Sequence, residues 1–136
     1  MRLFTHNLLV CNVAACVATA SRAADAPPLN FPLRIEAAPG GLRQEESAFN
    51  ADATLRLLRK LDWPALRAAA AALGVAELPP APPARPEDDE AFLRSVHTLV
   101  MDVHVMEGRL VCPNCERAFP IASGIPNMLL TEAELA

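Results

Sequence analysis

Apolar and polar positions follow one period at the two ends of this chain and another in its middle. Phe31, Leu33 and Ile35 alternate with Pro32, Arg34 and Glu36, which predicts a strand from Phe31 to Glu36 closed by Pro39-Gly40-Gly41. Arg2 to Val10 is a second apolar stretch, strand or short helix, because its polar interruptions leave the period open. The run from Val17 to Asn30 is small, polar and proline-bearing and reads as loop. From Asn50 to Thr98 the period is helical. Leu57, Leu58 and Leu61 share one face, with Arg56, Arg59 and Lys60 largely off it. A second helix starts at Asp62 as N-cap with Pro64 in its first turn. It lines up Leu66, Ala69, Ala70 and Leu73 and stops at Gly74.

Leu78 to Pro86 holds five prolines and predicts a stiff connector, since proline supplies no backbone N–H. A third helix follows, with Glu87, Asp88, Asp89 and Glu90 at its N-terminal end, where the dipole favours acids. Phe92, Val96 and Leu99 form its buried face. Leu99, Met101, Val103 and Val105 then alternate with polar residues, and Glu107-Gly108 supplies a turn into Arg109 to Val111. The expectation is a hairpin that delivers the chain into Cys112.

Composition narrows the picture. The chain has 136 residues, enough for one domain with a small insertion, and its apolar fraction of 52% permits a packed core. Much of that fraction is Ala, so the core is modest and a metal staple would help it. The formal charge is −4 and there is no run of Lys or Arg. That disfavours unaided nucleic-acid binding, which draws on neutralised phosphates. The densest basic cluster, Arg56, Arg59 and Lys60, reads as a solvated helix face. Arg2 before the apolar Leu8 to Ala20 stretch imitates a secretory signal, but His6, Asn7 and Asn12 interrupt it. Cleavage near Ala20 would also strand two cysteines. No stretch approaches the ~20 apolar residues of a membrane span, so a soluble intracellular protein is expected.

The four cysteines form two pairs, Cys11-x4-Cys16 and Cys112-Pro-Asn-Cys115. Short Cys-x2–4-Cys turns present two sulfurs to one ion, and two such turns complete a tetrahedral thiolate shell for zinc. Such a closed shell leaves no position for substrate, so the metal would be structural. Disulfides, which need an oxidising compartment, and a redox Cys-x-x-Cys, which normally opens a helix, are the competing readings. His6, His97 and His104 are scattered, and neither a phosphate-binding glycine loop nor a nucleophile motif occurs. The expectation is a protein that is not an enzyme.

After the Cys112–Cys115 turn, Arg117 to Ile121 reads as a strand and Ser123-Gly124 as a turn. Ile125 to Leu130 then reads as an edge strand, because Pro126 lacks an N–H. Such an edge, with Ile125, Met128, Leu129 and Leu130, is either covered by the protein itself or completed by a partner through β-augmentation. An acidic tail with Glu132 and Glu134 ends the chain.

Several blocks together resemble a known family. They are Leu3-Phe-Thr-His-Asn-Leu-Leu9, Phe31-Pro-Leu33, Phe49-Asn50, Asp62-Trp63, Phe92-Leu93, His97-Thr-Leu99 and Glu107-Gly108. The most specific block runs from Cys112-Pro-x-Cys115 through Phe119-Pro-Ile121 to Gly124-Ile-Pro-Asn-Met-Leu-Leu130. The family is the small zinc-binding activator subunit shared by methyltransferases of tRNA, ribosomal RNA and translation release factor. The resemblance spans nearly the whole chain and is weakest in the Ala- and Pro-rich middle.

The resemblance implies a non-catalytic subunit that forms a heterodimer with Rossmann-like, S-adenosylmethionine-dependent methyltransferases and keeps them soluble and active. RNA would be met only through that complex, in cytoplasm and nucleus. It maps the zinc ligands onto Cys11, Cys16, Cys112 and Cys115. Partner contacts map onto the Ile125, Pro126, Asn127, Met128, Leu129 and Leu130 edge, with Phe119 beside it. The expected fold class is α+β. A zinc-ribbon-like lobe with a small antiparallel sheet (residues 1–41 and 99–136) would carry an inserted helical lobe (42–98). The alternative is a free-standing zinc-ribbon module binding RNA or protein directly, for which only Arg109, Arg117 and Phe119 are at hand.

Overall fold

A computed structural model describes residues 1–20 and 27–136. The helices are α1 (Leu3–His6), α2 (Ala14–Ala20), α3 (Ala51–Lys60), α4 (Trp63–Leu73), α5 (Glu90–His97) and α6 (Glu132–Leu135). The strands are β1 (Arg34–Ala37), β2 (Leu42–Gln44), β3 (Val103–Val105), β4 (Gly108–Val111), β5 (Ala118–Ala122) and β6 (Ile125–Pro126). The mixture of helices with small antiparallel sheets is the expected α+β class. A four-stranded sheet runs β1-β4-β5-β6, and β2 pairs with β3 in a second sheet.

The helical middle forms where caps and stops predict it. The Asn50 side chain accepts from the Ala53 N–H at 2.9 Å and starts α3. Asp62 does the same for α4 through Ala65 at 3.0 Å, and Gly74 ends α4 in the left-handed region at φ 65°. Asp89 caps α5 by accepting from Phe92 N–H. The acids before it, with Pro86, form a 3₁₀ turn (Pro86–Asp88) ahead of α5.

Three expectations are corrected. The residues Val17 to Ala20 belong to α2, not to a loop: the run Ala14–Ala20 is rich in Ala, the best helix former. The stretch 21–26 within that predicted loop lies outside the described residues. The predicted Leu99–Val111 hairpin does not form either. Thr98–Asp102 is a π-helical turn continuing α5, and the strand begins only at Val103. β3 then pairs with β2, while β4 pairs with β1 and β5. Gly108 lies at φ 154°, and a Cβ there would meet the Glu36 carbonyl oxygen and Ala37 Cα. Glycine lets the backbone cross from one sheet to the other. Third, the edge strand is shorter than expected, Ile125–Pro126 alone, and the acidic tail is a helix closed by a Thr131–Glu134 capping box.

One cluster of buried side chains joins both chain ends and the helices, with Leu3, Leu33, Trp63, Leu66, Val96, Leu110 and Phe119 among its members. β2, at the start of the expected helical lobe, pairs with β3 of the other lobe. No helix among the described residues is long and apolar enough to cross a membrane.

Candidate metal centre and sheet edge

The core brings the two cysteine pairs together. Cys112 closes β4, and Cys115 follows in a turn where the Glu116 N–H bonds the Cys112 carbonyl at 3.0 Å. Glu116 takes a left-handed backbone at φ 63°, reversing the chain into β5. Cys16 lies on α2, and Cys11 is held just before it: its carbonyl accepts from Asn30 Nδ2 at 2.8 Å.

All four sulfurs lie within 4.8 Å of one another. Cys11 and Cys115 are 3.7 Å apart and Cys16 and Cys112 are 3.6 Å apart. A tetrahedron with ~2.3 Å zinc–sulfur bonds has an edge of about 3.8 Å, whereas a disulfide needs about 2.05 Å. The four thiols are free, and their spacing fits metal ligation. Cys11, Cys16 and Cys112 are buried and Cys115 faces solvent.

Burial pushes the Cys11 and Cys16 thiols up. Burial acts the same way on Cys112, but the N–H groups of Cys115 and Asn114 outweigh it and the net shift is down. Four sulfurs this close, three of them buried, repel one another as thiolates, and a cation among them would offset that charge. Asn114, between the cysteines of the second pair, donates from Nδ2 to Cys16 Sγ at 3.2 Å and Thr19 Oγ1 at 3.0 Å. Its role was not read from the sequence, although its place inside Cys-Pro-Asn-Cys is a signal for it.

Arg117 fastens the C-terminal helix to this centre through Glu134, Nε to Oε2 at 2.6 Å. That guanidinium draws the Glu134 carboxyl down to about 2. Beyond β5 the chain turns to β6, the outer strand of its sheet, held by Asn127 N–H to the Pro120 carbonyl at 2.8 Å. Ile125 and Leu129 are 69% and 80% exposed, while Met128 and Leu130 are half-buried against the core. Pro126 is half-buried and Asn127 exposed. Phe119 is fully buried, since β5 turns Phe119 and Ile121 inward and Pro120 outward. Its expected place on the contact surface is therefore corrected: it supports the edge from beneath.

A serine, a histidine and an aspartate also meet, away from the cysteines. Ser47 Oγ donates to Asp102 Oδ1 at 2.5 Å, and His97 Nε2 lies 3.1 Å from the Ser47 hydroxyl oxygen. Both partners converge on the hydroxyl, and the Ser47 N–H also donates to Asp102. This pattern clamps the approach to α3 onto the π-turn. In a nucleophilic triad the acid would bond the far nitrogen of the imidazole instead.

A cysteine centre assembled from both chain ends, a short four-stranded sheet and a helical insertion define a zinc-ribbon-like class of protein. A family model described as Trm112p-like protein matches residues 2–124, and the chain belongs to that family. It is 42% identical to the multifunctional methyltransferase subunit TRM112 homolog A of Arabidopsis thaliana, over 99% of this chain and 100% of that protein. Identity is 42% with the TRM112-like subunit of Mus musculus, over 98% of each chain. It is 38% with the TRM112 subunit of Saccharomyces cerevisiae, over 96% of each. A solved structure of the E. cuniculi Mtq2–Trm112 complex aligns over 95% of each chain at TM-score 0.49 with 16% identity.

Proposed function

We propose that this chain is a non-catalytic activator subunit. It forms heterodimers with S-adenosylmethionine-dependent methyltransferases acting on tRNA, rRNA and translation release factor, in cytoplasm and nucleus. The observation that carries this reading is the end-to-end match at 42% identity to relatives named multifunctional methyltransferase subunits. The unpaired outer side of β6 supports a docking role, because exposed backbone groups beside Ile125 and Leu129 suit a strand added by a partner. The geometry of the other polar cluster supports the non-catalytic part: Asp102 bonds the Ser47 hydroxyl and N–H instead of the far nitrogen of the His97 ring, so the three side chains are not arranged as a nucleophilic triad.

Cys11, Cys16, Cys112 and Cys115 hold one zinc ion in this proposal. With four thiolates the metal supplies folding free energy and no open coordination site. The test is co-expression with candidate methyltransferases from the same cell. Soluble, active heterodimer only in the presence of this chain is expected. Enzymes equally soluble and active alone would refute the activator role.

A further inference from the structure

The cations of this acidic chain are mostly tied down. Arg34, Arg43, Arg85, Arg94, Arg109 and Arg117 each pair with a carboxylate. Arg67 donates to the Leu78 carbonyl at 2.9 Å. Apart from Arg2, the cations without a partner among the described residues are Arg56, Arg59 and Lys60. All three are exposed, and their i, i+3 and i, i+4 spacing puts them on one stripe of α3. The helix dipole accounts for basic residues in a last turn, as with Arg59 and Lys60, but Arg56 sits a turn earlier. Asp52, one turn before Arg56, does not pair with it.

The fold sets this stripe away from the docking edge. In the order β1-β4-β5-β6, α4 packs on β1, and α3 joins α4 directly through Leu61 and Asp62. A partner on β6 sits at the opposite edge and leaves α3 open. We propose that Arg56, Arg59 and Lys60 form a phosphate-contacting stripe that grips the backbone of RNA substrates presented to the heterodimer. This inference rests on the methyltransferase-subunit reading and extends it. Three point charges spaced along a helix match phosphates repeated along a strand, and a chain that carries a net charge of −4 even with these cations counted confines the attraction to that stripe. The contact carries no sequence information, which suits a subunit shared among RNA substrates.

The test compares wild-type and Arg56→Gln/Arg59→Gln/Lys60→Gln chains in full heterodimers, one acting on RNA and one on release factor. The expected result is an RNA KM raised on the order of 10-fold with kcat unchanged, and a shallower salt dependence by about two to three units of log–log slope. Release-factor methylation should be unchanged, which shows that the variant folds and docks. An unchanged RNA KM and salt slope, or equal losses on both substrates, would overturn the stripe. Failure of the wild-type chain to form either heterodimer would overturn the underlying reading as well, and is told apart because it precedes any substitution.

Discussion

The Asn7 side chain bonds the backbone of Asp62 on both sides: its Oδ1 accepts from the Asp62 N–H at 2.8 Å and its Nδ2 donates to the Asp62 carbonyl at 3.0 Å. Asp62 is also the N-cap of α4. One amide therefore fixes the N-terminal segment to the point where the second long helix begins.

Asn7→Ala leaves the Asp62 N–H without its partner in a half-buried place. The expected loss is about 1–3 kcal/mol of unfolding free energy. Urea denaturation of the purified chain measures it, and a loss within error of zero would show that water replaces the amide.

The metal centre predicts about one zinc per purified chain by elemental analysis. Cys112→Ser should abolish retention and unfold the sheet end, because Cys112 is fully buried at the close of β4. Asn114→Ala should leave the ligands intact and weaken zinc binding about 10-fold in chelator competition, by removing the donor to Cys16 Sγ. Full-strength binding by the Asn114 variant would reduce that residue to a spacer.

His6 carries the pH prediction. Its ring is buried, Nε2 donates to the Leu33 carbonyl at 2.7 Å, and Nδ1 has no partner. Burial lowers its pKa, with the Leu33 carbonyl pulling the other way. The unfolded chain therefore takes up a proton near pH 6.5 that the folded chain refuses, and stability falls as pH drops below that value. His6→Gln keeps a donor for Leu33 and does not titrate. Its urea midpoint should decline less than wild type between pH 7.5 and about 5.5, since every other titrating group, the four cysteines included, is common to both chains. Equal declines would show that His6 charges in place.

Much of this architecture was legible in the residues themselves. Asn50, Asp62 and Gly74 announce helix ends because capping is local chemistry, and Cys112-Pro-Asn-Cys115 announces a tight turn that brings two sulfurs together for the same reason. What escaped was decided at a distance. Leu99, Met101, Val103 and Val105 alternate as a strand would, yet Asp102 is buried because Ser47 satisfies its carboxylate, and a π-turn fits that burial. β4 pairs with β1, Ile35 opposite Leu110, a choice no local period records. The Phe119 ring is apolar wherever it points, and only the register of β5 turns it inward. Asn114 was hidden by being polar and short, although it stands inside the motif it serves.

In the proposed function this chain docks to methyltransferases through the β6 edge. The most direct measurement is a pull-down of the tagged chain from its native cell extract, with bound proteins identified by mass spectrometry, beside an Ile125→Asp/Leu129→Asp variant. Both side chains are exposed, so the variant should fold with its zinc. S-adenosylmethionine-dependent methyltransferases are expected on the wild-type chain and should be lost from the variant. Equal recovery on both would contradict the docking edge, and a wild-type chain that captures RNA or thiol substrates without any methyltransferase would contradict the activator role.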